Sequence, residues 1–277
     1  MQTILVPTDF SETAKNATRY ALQLAAAIGA DKIILYNAYQ IPVTADPMMP
    51  TLQLFNLEEI KAASEEGLSH FADTIQPLVP AGISIETLCE FNVLAEGIGD
   101  VIDRTGAGII VMGITGGDKV EEVLIGSNTI SVSKHAHIPV IIVPADCSYQ
   151  PIKAIALACD LKKVVQTTPV EPIKTLLQLT GAAFSVVNIS GQKQQPSDDK
   201  AFQMLLLDTL FQQQQPAYFF IENDDFTEAI QQFVVANKVD LLITIPKKHG
   251  WFEGLFKRSH TKRLAFHSHI PLMVAHE

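Results

Sequence analysis

The residues Gly113, Gly116, Gly126, Ser127, Asn128 and Thr129 form the part of this chain best suited to hold an anion. They follow an apolar run ending at Met112 and precede a helical pattern beginning near Gly126-Ser127. Glycines let the backbone bend tightly and bring its N–H groups against a ligand, because no Cβ stands in the way. A helix start adds unpaired N–H donors with partial positive charge, and the Ser127 and Thr129 hydroxyls add further donors beside it. A phosphate chain can lie on such a surface without any lysine. No Gly-x4-Gly-Lys-[Ser/Thr] segment exists, so P-loop phosphoryl chemistry is not indicated. No nucleophile elbow marks a hydrolase either, and no catalytic residue is assigned.

Short β-rich runs alternate with helix-length segments in the way needed to present those glycines at the end of a strand. Strands are expected at 3–6, 32–35, 83–88, 108–112 and 139–143, and helices at 11–28, 57–76, 93–105 and 126–136. Five strands separated by helices predict a parallel α/β sheet with helices on both faces. Ser11 and Asn92 are suitable N-caps, while Gly29 and Gly106 stand where helices should stop. Asp9 falls at the C-terminal end of the first strand, where its carboxylate can accept hydrogen bonds. Gly97-Ile98-Gly99 lacks the third glycine of a dinucleotide fingerprint and lies inside a helical pattern, so it is set aside.

The rhythm restarts at Lys153. Ile155 to Asp160 mirrors Ile4 to Asp9, and Val186-Val187-Asn188 mirrors Ile34-Leu35-Tyr36-Asn37. His135-Ala136-His137-Ile138-Pro139-Val140 recurs as His267-Ser268-His269-Ile270-Pro271-Leu272. A duplication explains similar pieces in the same order, with one domain at 1–146, a second at 151–277 and a linker at 145–151. The same repetition explains the two His-x-His pairs better than a metal site does, and no metal ligand is assigned.

Gly-x2-Gly-x9-Gly-Ser at Gly113, Gly116, Gly126 and Ser127 resembles the nucleotide-binding signature of the universal stress protein family. Ile4 to Glu12 is similar to that family's opening strand and turn, and the closing His-x-Pro-Val-type strand agrees. The resemblance covers nearly all of 1–146, and 151–277 more loosely, so the chain looks like a tandem member. It implies two Rossmann-like domains of the adenine nucleotide alpha hydrolase-like type, each with a five-stranded sheet. It also implies ATP or ADP in the first domain, with Mg2+ as a companion ion. By resemblance, Pro7, Thr8 and Asp9 lie near the adenine and ribose, and the backbone of Ala38 meets the adenine edge. Met112 and Gly113 begin the ribose and phosphate contacts, Gly116 approaches the phosphates, and Gly126, Ser127, Asn128 and Thr129 hold the phosphate end. In single-domain relatives two copies pair through the final strand. The expectation here is therefore an intramolecular pseudo-dimer of the two domains, with or without a further homodimer. The expected function is that of an ATP-binding stress-response module; the alternatives are a slow ATP hydrolase and a nucleotide-independent scaffold.

The second half departs from the signature. Aligning Ser259 with Ser127 puts Ile245 opposite Gly113, Lys248 opposite Gly116 and Arg258 opposite Gly126. Side chains there obstruct close backbone approach to phosphates. The basic segment 247–263, interleaved with Trp251, Phe252 and Phe256, is read first as a solvated loop and amphipathic helix. Two further segments break the rhythm: a Pro- and Met-bearing excursion at 40–54, placed where a lid would hang, and a polar loop at 191–200.

Composition is consistent with this reading. Apolar residues make up 47% of the chain and charged residues 18%, which excludes long disorder and coiled coil. Through Asp146 there are 7 basic and 18 acidic residues, and after it 13 and 12, so the net charge of −10 resides in the first half. Such acidity argues against a nucleic-acid grip there. Cys89, Cys147 and Cys159 match neither a disulfide framework nor a metal knuckle, which suits a reducing cytoplasm. Met1-Gln2-Thr3 runs directly into an apolar strand too short for a signal core, and no apolar run reaches membrane-spanning length, so a soluble protein without membrane partners is expected.

Overall fold

The computed structural model describes residues 1–41, 56–114, 126–191, 198–246 and 269–276. In the first half β1 (Thr3–Pro7), β2 (Lys32–Tyr39), β3 (Ser84–Phe91), β4 (Ile109–Gly113) and β5 (Val140–Val143) alternate with α1 (Glu12–Ile28), α2 (Leu57–Ile75), α3 (Leu94–Thr105) and α4 (Ser127–His135). The second half contributes β6 (Ala154–Ala158), α5 (Val164–Thr167), α6 (Val170–Thr180), β7 (Ala183–Ser190), α7 (Asp198–Leu210), β8 (Ala217–Glu222), α8 (Phe226–Ala236), β9 (Leu241–Thr244) and β10 (Leu272–Val274).

Among the described residues these strands form one ten-stranded sheet in the order β3-β2-β1-β4-β5-β10-β9-β6-β7-β8. Within each half every pairing is parallel. The halves meet where β5 and β10 run antiparallel, with Met273 opposite Ile141. Alternation along the strands feeds two cores that run across both halves. Ile4, Val6, Ile33, Leu35, Ile141, Ile155 and Met273 face α1, α2, α6 and α7, while Leu5, Ile34, Val140, Ala156, Leu272 and Val274 face α3, α4 and α8. A strand buried on both faces reads as a continuous apolar run, which is why Ile-Leu-Val and Val-Ile-Ile-Val could be recognised as strands.

Helix ends follow the sequence signals with one exception. Ser11 caps α1, its hydroxyl accepting from Ala14 N at 3.2 Å, and Gly29 and Gly106 end α1 and α3 in the left-handed region at φ 70° and 65°. The cap of α3 is Val93, not Asn92, which lies one residue earlier. The Asn92 side chain instead covers Gly97, where a Cβ would meet its amide at 2.0 Å. The fingerprint-like Gly97-Ile98-Gly99 is thus interior helix. The segment joining the halves is packed rather than loose. Cys147 is buried, Tyr149 meets Tyr20 edge-on at 5.2 Å, and Asn16 donates to the carbonyls of Pro144 (3.1 Å) and Cys147 (2.9 Å).

The sheet order places a switch point in each half. From β1 the chain steps outward to β2 and β3, then returns to the other side of β1 as β4, and the helices change face at that return. Among the described residues nothing fills the crevice beyond the carboxyl ends of β1 and β4, which is where open α/β sheets place ligands.

Candidate functional site

A cleft opens at the first half's switch point. It encloses about 650 Å³, its open mouth included, and Pro7, Thr8, Asp9, Ala38, Met112, Gly113, Asn128 and Thr129 line it. These eight come from β1, β2, β4 and α4, so folding gathers them from four separate places in the sequence. Gly126 and Ser127 stand at the start of α4 but are not part of the lining. Gly116, together with Asp118, Glu121 and Glu122, lies outside the described residues, as do the 42–55 part of the excursion and the basic segment 247–263.

The turn after β1 fixes how Asp9 is shown. Thr8 N donates to the Tyr36 carbonyl at 2.8 Å, and the buried Asn37 amide donates to the Thr8 carbonyl at 2.8 Å. Phe10 N donates to Thr8 Oγ1 at 3.0 Å, and Asp9 Oδ1 accepts from Ser11 N at 3.2 Å and Ser11 Oγ at 2.6 Å. Asp9 is therefore not the helix cap but braces the residue that is. These bonds hold Phe10 at φ 68°, a conformation bulky residues rarely adopt, with its ring on Phe71 at 5.9 Å. One oxygen of the exposed Asp9 carboxylate carries both of those bonds and the other accepts none from the described residues, so the turn can present a hydrogen-bond acceptor to a ligand hydroxyl.

The opposite wall is the start of α4. Gly126 is its N-cap with no side-chain cap, so the first-turn N–H groups of α4 keep their partial positive charge. Gly126 N itself donates to the Ile114 carbonyl at 2.7 Å. Buried Thr129 turns its hydroxyl to the Gly113 carbonyl at 3.0 Å, which ties the helix to β4. Gly113 serves packing as well as the cleft: a Cβ there would stand 2.8 Å from Thr13 Cγ2 and 3.0 Å from the Thr13 carbonyl of α1. Wall and floor thus offer backbone donors at one end and a single carboxylate at the other, an arrangement that fits a phosphate-bearing polyol.

Five lining residues went unmarked by the motif: Ala14, Tyr36, Asn37, Gln40 and Leu94. Asn37 left a signal, since a polar residue closes an apolar strand and recurs as Asn188 in the mirrored strand. The fully buried Tyr36 hydroxyl has no hydrogen-bond partner among the described residues, and burial raises its pKa to about 12, so it stays neutral. Gln40 opens the excursion at 40–54 that the sequence places near a ligand, while Ala14 and Leu94 carried no signal, because chain-distant walls supply them.

The histidine pairs have separate partners. His135 Nδ1 lies 2.8 Å from the Ser131 carbonyl, His137 Nε2 is 3.0 Å from Asp103 Oδ1, and His269 Nδ1 is 2.6 Å from Asp146 Oδ2, while His267 lies outside the described residues. Among the described residues no three His, Cys, Asp or Glu side chains group as a metal would need, and no helix is long and apolar enough to cross a membrane.

A family model described as the universal stress protein family matches residues 1–144. The chain belongs to the universal stress protein family. Two curated universal stress proteins of Methanocaldococcus jannaschii are similar to it. One is 29% identical over 140 residues, covering 50% of this chain and 80% of the relative; the other is 25% identical over 151 residues, covering 50% and 93%. Among solved structures, a universal stress protein from Archaeoglobus fulgidus superposes with a TM-score of 0.69 at 17% identity, covering 99% of this chain and 98% of that one. That likeness is one of fold, a large, mainly parallel sheet flanked by helices.

Proposed function

We propose that this universal stress protein binds ATP or ADP in the cleft of its first half and that occupancy alters its contacts with other molecules in a stress response. The observation that carries this is the meeting of Asp9, Ala38, Met112, Gly113, Asn128 and Thr129 around one cleft at the switch point. Family membership gives those residues a ligand class. The Ala38 backbone takes the adenine edge, the free Asp9 oxygen takes ribose, and the uncapped start of α4, with Ser127, takes phosphate. Mg2+ would be held chiefly by the phosphates, since one carboxylate and several waters are a common set for that ion.

In this reading residues 1–146 and 151–277 are two domains of tandem origin, and the antiparallel β5–β10 pairing supports their association as an intramolecular pseudo-dimer. The free state of Cys89, Cys147 and Cys159 supports a reducing cytoplasmic location. Titration calorimetry of pure protein with Mg-ATP and Mg-ADP tests the central claim. One site per chain is expected; no heat at millimolar nucleotide overturns it.

A further inference from the structure

A second cleft lies at the equivalent place in the other half. It encloses about 570 Å³, open mouth included, beyond the ends of β6, β7 and β8. Its back wall repeats that of the first cleft: Asp160 stands for Asp9, Asn188 for Asn37 and Ile189 for Ala38, and Phe226 opens α8 as Leu94 opens α3. The turn presenting Asp160 is also repeated, with Lys162 N donating to Asp160 Oδ1 at 3.1 Å.

The end proposed for phosphate in the first half differs here. Strand register puts Leu241 beside Ile155 as Ile109 lies beside Ile4, so Ile245 occupies the place of Gly113, and it is buried. The cleft extends instead toward the sheet edge, taking in Lys162, Lys200, Asn223 and Asp224. Among the described residues the first cleft holds one charged side chain, Asp9, and the second holds two cations and two anions. The Asp224 carboxylate is seated over Gly191, where a Cβ would lie 2.8 Å from its Oδ1. Asp160, Lys162, Lys200 and Asp224 all have protein interactions already, so a ligand must exchange contacts with them rather than fill idle groups. Two carboxylates disfavour a polyphosphate. A ligand carrying one group of each sign gives every exchanged contact a replacement.

We propose that this cleft binds a small zwitterion of amino-acid size, its carboxylate meeting Lys162 and Lys200 and its ammonium meeting Asp160 and Asp224. The site is independent of nucleotide binding in the first half. Amide NMR of the full chain, titrated with each of the twenty free L-amino acids at about 10 mM, saturates a site of about 1 mM affinity. At least one should shift the amides of Asp160, Gly191, Asn223 and Asp224 while leaving those of Asp9, Ala38 and Gly113 in place. The corresponding acid without its amine, and amine without its carboxylate, should bind at least about tenfold more weakly, the loss of one charge-assisted contact. Lys200→Met combined with Asp224→Asn should abolish the shifts, and each single substitution should weaken them if the pair disturbs folding. The proposal fails if no amino acid moves those amides, if the movement survives both substitutions, or if Mg-ATP produces the same movement.

Discussion

The turns that follow β1 and β6 are built alike down to individual hydrogen bonds, although one belongs to the half with the complete glycine signature and the other to the half without it. Asn188 donates to the Cys159 carbonyl at 2.8 Å as Asn37 does to that of Thr8, and Cys159 N donates to the Val187 carbonyl at 3.0 Å as Thr8 N does to that of Tyr36. Leu161 N meets Cys159 Sγ at 3.4 Å where Phe10 N meets Thr8 Oγ1. Leu161 also repeats the left-handed conformation of Phe10, at φ 52°. A strained turn kept in both halves is a requirement of the fold, so its presence around Asp9 is not by itself a nucleotide signal. What separates the halves is what packs against the turn. The first half runs a 17-residue α1 past bare Gly113. The second breaks the corresponding helix into α5 and α6 at Thr168-Pro169 and fills the glycine position with Ile245.

The comparison is broken most directly by Gly113→Ile, which copies the second half. A Cβ 2.8 Å from Thr13 Cγ2 must push α1 away, so stability should fall by roughly 1–3 kcal/mol through overpacking. Nucleotide affinity should drop by at least about a hundredfold, since roughly 3 kcal/mol of contacts are displaced at the head of the cleft. Calorimetry and urea unfolding read the two effects separately. Unchanged affinity would mean that position 113 does not divide the halves.

Next in size are the paired substitutions Asn37→Ala and Asn188→Ala. Each strands a buried carbonyl, at about 1–3 kcal/mol. Asn37 should cost more, because its Oδ1 also accepts from the buried Ser64 hydroxyl and, at 3.9 Å, from the Cys89 thiol, whereas no described residue donates to Asn188 Oδ1. The difference between the two urea midpoints measures what Ser64 and Cys89 add together, and equal midpoints would assign them nothing. Thr129→Val is smaller again. It removes the bond to the Gly113 carbonyl at about 1 kcal/mol, and nucleotide affinity should change only a few-fold. A hundredfold loss would instead make that hydroxyl a ligand contact.

These residues also mark how far the sequence could be read. The strands were legible because burial on both faces writes β-branched runs such as Ile109 to Val111 without interruption, and α1 because Ser11 and Gly29 bracket it. Asp9, Gly113 and Thr129 were legible through their motif. Ala14 and Leu94 were not, because they line the cleft only by virtue of long-range strand order. The packing role of Gly113 was also hidden: a glycine beside a ligand and a glycine beneath a helix look the same in one dimension. Asn37 lay between these cases, visible as a repeated polar residue, while its bond to the Thr8 carbonyl required the β1–β2 register.

The finest difference between the halves is how each final strand is tied down. The chain leaving β5 is held by Asn16, which does not titrate, through the carbonyls of Pro144 and Cys147. The chain leaving β10 is held by His276, whose Nε2 lies 2.7 Å from the Ser133 carbonyl of α4. Burial lowers the His276 pKa below the ordinary 6.5; the backbone bonds to Ser133 and Ile138 oppose this shift and nearby His137 adds to it. A histidine that resists protonation only when folded binds fewer protons than its unfolded counterpart at low pH. Its contribution to stability is therefore complete above about pH 6.5 and declines as pH falls below that value. His276→Gln retains an N–H donor for Ser133 without titrating. Urea midpoints of the two proteins should run parallel above pH 6.5 and diverge below it, with the original chain losing more. The His269–Asp146 pair is common to both proteins and cancels from the difference. Asn16→Ala should lower the midpoint by the same amount at every pH. Parallel curves for His276→Gln down to pH 5 would show that the two ties differ in residue type but not in their response to protons.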